Sequence, residues 1–338
     1  PLEPVGGAVP LDSPFYVERS TDVEFMRALR SNESILLVKG PRQIGKTSLL
    51  GRGAKTAQDL GWRIVRTDFQ KLSAAQLGSD DGFYRLLAAT LARQLGFRYD
   101  FASEWLDVFG ANLNLDNFIL ALIEASDEPL VWLMDEADRL FGNPVASDFF
   151  GLVRSWHNSR TMEPSGPWSR FTVVIGYATE AHLFIQDLNQ SPFNVGRQLP
   201  LPPFNHAQIA DLNARYGSPL RSETDIAHLE ELVGGQPFLT RRALDVLARG
   251  TMSFAEMLEY ADEDEGPFGD HLKRILISVS QMPSVVEALR HSLAASGIRD
   301  TEGYHRLLAA GVIRPVRNGP AVFSCQLYRR YLGVRLAD

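Results

Sequence analysis

The sequence predicts an α/β fold. It should have a parallel sheet with helices on both faces (a three-layer αβα core), then an all-helical segment and a small module of helices with a strand pair. Three observations point there. Short apolar runs alternate with amphipathic stretches between Phe15 and Gly176. A glycine-rich turn joins the first apolar run to the first helix. After Pro202-Pro203 the strand-like runs stop, until a turned pair near Asn318 and Gly319.

Taken in order, residues 1–14 are rich in Gly and Pro and read as an extended lead-in. Residues 34–39 (SILLVK) form an apolar run of the kind buried on both faces in a parallel sheet. A helix is expected from Lys46 to about Leu60, stopped by Gly61. Residues 62–67 (WRIVRT) are the next strand, 82–95 an amphipathic helix, 115–125 another helix, and 129–134 (PLVWLM) a strand. Residues 149–157 read as helix, 171–175 (FTVVI) as strand, and 198–201 as a last short strand. Such alternation implies a parallel sheet covered on both sides. Beyond it, Asn205 is a helix N-cap for 206–216, followed by helices at 224–233 and 237–249. The acidic turn 263–267 marks a seam. From His271 onward three helices, a strand pair and a final helix suggest a winged helix. The expected organisation is therefore a lead-in (1–14), a core (15–202), a helical lid (203–266) and a winged-helix domain (267–338).

Bulk properties narrow the function. The 338 residues are 45% apolar and 22% charged, enough for two or three cores and too little charge for general disorder. A net charge of −7 argues against broad attraction to nucleic acid or anionic lipid, while leaving room for a local basic patch. The single cysteine, Cys325, permits no internal disulfide and suits a reducing, cytoplasmic setting. No apolar run approaches the roughly 20 residues that span a bilayer, and no signal-peptide pattern opens the chain. Because the first residue is Pro1, the chain is expected to be a segment of a longer polypeptide.

Two motifs carry the chemistry. Gly40-Pro-Arg-Gln-Ile-Gly45-Lys46-Thr47 fits G-x-x-x-x-G-K-[ST] between a buried strand and a helix. Its glycines let the backbone curl so that the amides of Gln43, Ile44, Gly45, Lys46, Thr47 and Ser48 face phosphates. The helix N-terminus adds partial positive charge. Lys46 is expected at the β- and γ-phosphates of ATP and the Thr47 hydroxyl on Mg²⁺. The second motif is the apolar strand that ends in Asp135-Glu136. Asp135 is assigned to the Mg²⁺ and Glu136 to the attacking water. The spacing, with one strand between the motifs in sequence, is that of P-loop ATPases with an inserted central strand. Asp135-Glu136-Ala137-Asp138 also spells the signature of DEAD-box RNA helicases, but no second lobe of that kind follows. Thr179, after the strand 171–175, is a candidate sensor of the γ-phosphate, or a plain helix cap. Arg154, Arg160, Arg170 and Arg197 are candidate arginine fingers, Arg154 foremost. The histidines show no metal-ligand spacing, and Cys325 reads as a core thiol.

Further segments resemble one family. Pro14-Phe15-Tyr16-Val17-Glu18-Arg19 resembles the segment that leads into STAND and initiator-type ATPases, where its backbone lines the adenine pocket. Val233-Gly234-Gly235-Gln236-Pro237 resembles the STAND G-x-P motif, whose proline packs on the adenine and links the lid to the nucleotide. Residues 149–158, 189–195 and 325–331 look like parts of the bacterial AAA-like STAND subfamily. The resemblance implies adenine-site roles for Tyr16, Val17, Arg19 and Pro237. It also implies an ATP/ADP switch with slow hydrolysis, nucleotide-dependent self-association, and fused effector and repeat-type sensor domains in bacterial signalling or defence proteins. One departure stands out: Ala178-Thr179-Glu180 offers no arginine after the fourth strand. The competing readings are a DNA-linked initiator or transposition regulator with a DNA-binding winged helix, and a chaperone or motor of the AAA+ class.

Overall fold

The computed structural model describes residues 2–78, 80–178, 191–281, 283–293, 302–316 and 319–336. The chain divides into two compact units. A sheet unit comprises residues 20–39 and 46–200, and a helical unit comprises 1–19, 40–45 and 201–338.

The sheet unit runs α1 (Ser20–Arg30), β1 (Ile35–Lys39), α2 (Lys46–Asp59), β2 (Arg63–Asp68), α3 (Ala74–Leu77), α4 (Asp80–Leu95), α5 (Phe101–Glu104), α6 (Gly110–Glu124), β3 (Leu130–Asp135), α7 (Val145–Met162), β4 (Phe171–Tyr177) and β5 (Arg197–Pro200). Its five strands lie parallel in the order β2-β3-β4-β1-β5. β4 therefore sits between the strand before the phosphate loop and the strand with the acidic end, the inserted central strand that the motif spacing requires. Every residue of β4 is buried, as are the first four of β1, which is why these strands read as unbroken apolar runs. Trp132 in β3 still has a polar edge, and its indole N–H donates to Thr67 Oγ at 2.9 Å on the neighbouring strand. At α1, Phe25 lies against Gly53 of α2, where a Cβ would come within 2.5 Å of the ring.

The helical unit holds α8 (His206–Arg215), α9 (Glu223–Val233), α10 (Pro237–Ala248), α11 (Phe254–Tyr260), α12 (Gly269–Ser280), α13 (Pro283–Leu293), α14 (Glu302–Ala310), β6 (Ile313–Val316), β7 (Gly319–Phe323) and α15 (Gln326–Arg335). β6 and β7 form an antiparallel hairpin. Asn205, Ser222 and Ser253 close capping boxes at α8, α9 and α11. One apolar cluster extends from Phe15 and Val17 through Phe204, Leu229 and Leu244 to Leu307, Tyr328 and Leu336. Two features differ from the sequence expectation. Residues 15–19 belong with this unit, where Phe15 packs on Tyr216 with ring centroids 4.2 Å apart and the planes tilted by 32°. The acidic turn at 263–267 is bonded into the unit, with Asp264 accepting from Tyr331 Oη at 2.8 Å and Arg335 at 3.0 Å. Helices α1, α3, α5 and α11 have no counterpart in the sequence reading. Among the described residues no helix is long and apolar enough to cross a membrane.

Candidate phosphate-binding site

In the sheet unit, α2 begins at Lys46, so the lysine, Thr47 and Ser48 occupy the first turn of a 14-residue helix. Lys46 and Ser48 are buried, and Thr47 is exposed. The Thr47 hydroxyl donates to Asp135 Oδ2 at 2.6 Å, joining the phosphate loop's helix to the end of β3. The other carboxylate oxygen, Oδ1, accepts the Glu136 N–H at 3.0 Å. Burial pushes the Asp135 carboxyl above its ordinary range, partly offset by the Thr47 and Glu136 hydrogen bonds and the Lys46 charge. Two oxygens so close, one on a desolvated carboxylate, are a donor set suited to a hard divalent cation such as Mg²⁺.

The backbone around these groups explains their aim. Glu136 adopts a left-handed conformation with φ 53°, which costs free energy for a residue with a side chain and ends the extended strand. Gly176, in β4, leaves room for the neighbouring acid: a Cβ there would stand 3.1 Å from Asp135 Oδ1. The last residue of the DEAD-like tetrapeptide has a structural task, as Asp138 Oδ1 accepts the Ala178 N–H at 2.9 Å at the end of β4.

The remaining loop residues, Gly40 to Gly45, lie in the helical unit. Gly40 faces Ile44 and Leu201 so closely that a Cβ would meet the Ile44 methyl at 2.8 Å. Gln43 and Gly45 have φ values of 61° and 106°. Several groups hold this stretch. Arg19 Nη1 donates to Ile44 O at 2.8 Å, and Gln236 Nε2 reaches Gln43 O at 3.4 Å. The Arg42 N–H donates to Ala309 O, in the last turn of α14, at 3.1 Å. A Cβ on Gly311 would come 3.0 Å from Pro41 Cβ.

The lead segment is pinned through its backbone. Arg215 donates to the carbonyls of Pro14 and Tyr16 at 2.9 and 2.7 Å, and Gln208 donates to Glu18 O at 3.0 Å. Val17 and Arg19 are buried and Tyr16 is half-buried. Pro237 takes the first position of α10 behind the N-cap Gln236. The two preceding glycines are forced by close backbone approaches: a Cβ on Gly234 would fall 2.2 Å from Ser324 O, and one on Gly235 2.0 Å from Phe204 O.

The structure thus brings Lys46, Thr47, Ser48, Asp135 and Glu136 together in one unit, and Tyr16, Val17, Arg19, Gly40, Gln43, Ile44, Gly45 and Pro237 in the other. Thr179 lies outside the described residues. The four candidate fingers all bind their own unit. Arg154 donates to Ser191 O, Arg160 to the carbonyls of Asn32 and Phe171, Arg170 to Asp127, and Arg197 to Glu33 and Glu24. Sequence reasoning missed Gln236 as a loop contact, Gly176 beside the acid and the Arg42–Ala309 bond. The glycine pair before Gln236 was the one local signal for the first.

Known proteins agree with this architecture. A Walker-type ATPase of Pyrococcus abyssi superposes with a TM-score of 0.64 at 17% identity, over 94% of this chain and 96% of that one. The ADP form of the ORC2 protein of Aeropyrum pernix gives 0.54 at 14% identity, over 98% and 97%. An uncharacterized WD repeat-containing protein of Synechocystis sp. is 28% identical over 255 residues, 72% of this chain. The chain spans about a fifth of that protein's length (21%). The fold is that of the P-loop ATPases. Residues 5–333 match the AAA-like domain family, and the chain belongs to that family.

Proposed function

We propose that the chain binds ATP and ADP at residues 40–48 and works as a nucleotide-dependent switch of the STAND type. In this reading it hydrolyses ATP slowly and controls self-association and the activity of neighbouring domains. The observation that carries the switch is the hydrogen bond from the Arg42 N–H to Ala309 O. Through it, a change in the phosphate loop acts directly on α14. A nucleotide moves such an equilibrium only through its different affinity for the two states. A nearly complete shift takes about 5.5 kcal/mol of that difference.

Within the site, the loop amides and the N-terminus of α2 receive the phosphates, and Lys46 neutralises their outer oxygens. Thr47 and Asp135 are the residues that would hold Mg²⁺, which when bound supplies positive charge at the β- and γ-phosphates. Glu136 orients the lytic water and accepts its proton. The lead segment at Tyr16, Val17 and Arg19, together with Pro237, lines the adenine. Thr179 is kept as the γ-phosphate sensor. Helices α8 to α11 serve as the lid, and α12 to α15 with the β6–β7 hairpin as a winged helix. The Synechocystis relative is named for WD repeats and is about five times longer than the matched region, which supports a module working beside a repeat array.

A DNA-linked role would need a basic reading helix in that last module. In α14, His305 is buried and the exposed Arg306 is paired with Glu302 at 2.6 Å, so the helix offers a single, partly neutralised cation rather than a basic face. This favours the protein switch. The test is particle size with ADP against a non-hydrolysable ATP analogue, for the chain with its natural flanking domains. The proposal expects larger particles with the analogue, and none for Lys46→Ala. Equal sizes under both nucleotides contradict it.

A further inference from the structure

Two side chains grip the phosphate loop, and neither lies within its sequence motif. Arg19 is only 4% exposed as a residue; its guanidinium donates to Ile44 O at 2.8 Å and to Pro202 O at 3.3 Å, and sits over the Phe204 ring at 5.7 Å. Its other terminal nitrogen stands 3.1 Å from the place a Gly45 Cβ would take, so Gly45 is closely covered on that side. Gln236 has a divided task. Its Oε1 accepts the Leu239 N–H at 2.7 Å and caps α10, which leaves Nε2 as the end that meets Gln43 O. Flipping the amide would forfeit the cap.

Peptide geometry gives these contacts a consequence. In a trans peptide the C=O and the following N–H point in opposite directions. With Ile44 O held by Arg19, the Gly45 N–H is turned away from Arg19. With Gln43 O held by Gln236, the Ile44 N–H is turned away from Gln236. Both peptides lie in a stretch with a positive φ of 61° at Gln43, which is costly for a side chain and needs support from its surroundings, and 106° at Gly45, which glycine adopts freely. We propose that Arg19 and Gln236 are positioning residues that preset the Ile44 and Gly45 amides for the outer phosphates of a nucleoside di- or triphosphate. Arg19 then acts through its side chain on the loop, in addition to any adenine contact of its backbone. This rests on the nucleotide reading above. Amides fixed beforehand bind an anion without the cost of ordering the loop at the moment of binding.

The test is titration calorimetry of the whole chain with ADP and with AMP, alongside melting curves. Gln236→Glu keeps an acceptor for the Leu239 N–H, where negative charge is favoured, but sets oxygen against Gln43 O. Arg19→Lys keeps the charge and reaches one carbonyl, and Arg19→Met reaches neither. Gln236→Glu, which sets a carboxylate against a carbonyl, and Arg19→Met, which loses a charge-assisted contact, should each weaken ADP about tenfold (about 1.4 kcal/mol) and AMP less than about twofold. Arg19→Lys should recover part of the ADP affinity that Arg19→Met loses, with melting of Gln236→Glu unchanged. Wild-type ADP affinity in Gln236→Glu and Arg19→Met, with Lys46→Ala unable to bind, overturns the positioning role and leaves nucleotide binding standing. Parallel losses for ADP and AMP with a lowered melting point mean a merely structural role and also overturn it. Normal ADP binding by Lys46→Ala removes the reading underneath.

Discussion

The sheet unit and the helical unit bury their cores in different ways. In the sheet unit, tight spots at glycine involve side chains: Gly53 faces the Phe25 ring, and a Cβ on Gly196 would meet Ile35 and Leu37 side-chain carbons at 2.7 Å. In the helical unit, side chains close on Gly40 and Gly311, but the tightest spots involve backbone. A Cβ on Gly235, Gly266 or Gly269 would fall 2.0 Å from the carbonyl oxygen of Phe204, Tyr260 or Asp264. Side chains can change rotamer, but a carbonyl in a packed turn has nowhere to go. The helical unit therefore adds to its apolar cluster a set of close backbone approaches, local at Gly266 and Gly269 and between distant segments at Gly234 and Gly235, whereas the sheet unit relies on apolar strands. The phosphate loop draws its residues 40–45 from the first kind of construction and 46–48 from the second.

The sharpest way to break this contrast is Gly235→Ala. It combines a positive φ with a carbonyl clash, and the helical unit should lose about 4 kcal/mol or more. Hydrogen exchange should then rise through α8 to α10 while β1, β3 and β4 keep their protection. Equal loosening of both units would erase the distinction.

Acid should act next most strongly, again on the helical unit. His271 is buried against Tyr328, with ring nitrogen and hydroxyl 2.9 Å apart, and burial lowers its pKa from 6.5 to about 4. The folded state holds the imidazole neutral, so the unfolded chain binds the extra proton. Its stabilisation is fully present above pH 6.5 and is lost as pH falls from 6.5 towards about 4. The loss amounts to roughly 3 kcal/mol, and urea midpoints across that window should show it. His271→Gln should flatten that slope.

In the sheet unit, Trp132→Phe removes the donor to Thr67 and leaves a buried hydroxyl without it. The expected cost is about 2 kcal/mol, read as a shift in the unfolding midpoint of the sheet unit alone. Smallest for stability is Gly176→Ala, under about 1 kcal/mol, because a Cβ at 3.1 Å from Asp135 Oδ1 displaces a carboxylate rather than a backbone. Its effect belongs to the metal: ADP affinity in Mg²⁺ should fall, and affinity in EDTA should not.

These differences also explain what could be read from the sequence. The strands of the sheet unit were legible because burial on both faces writes a continuous apolar run, as in residues 34–39 and 171–175. The positions of the 40–47 motif and Asp135-Glu136, after β1 and at the end of β3, were legible because apolar runs precede both. Helix α1 was missed although Phe25, Ala28 and Leu29 follow helical spacing, because the polar Thr21 and Asp22 share the buried face while the apolar Val23 and Met26 are not on it. Helix α11 was missed because seven residues give little periodicity, even with Ser253 and Glu256 forming a capping box. The helical unit's use of residues 1–19 and 40–45 leaves no local trace. Nothing near Arg19 in sequence announces Ile44, and nothing near Arg42 announces Ala309. Such pairings follow from the whole fold.

The central claim is that nucleotide in the phosphate loop is felt by the helices bonded to that loop. Hydrogen exchange of the wild-type chain with and without ADP and Mg²⁺ tests it most directly. The account predicts that the peptides covering the start of α10 and the end of α14 change protection on ADP binding, and that Lys46→Ala abolishes the change. Saturating ADP that leaves both peptides unaltered would contradict it.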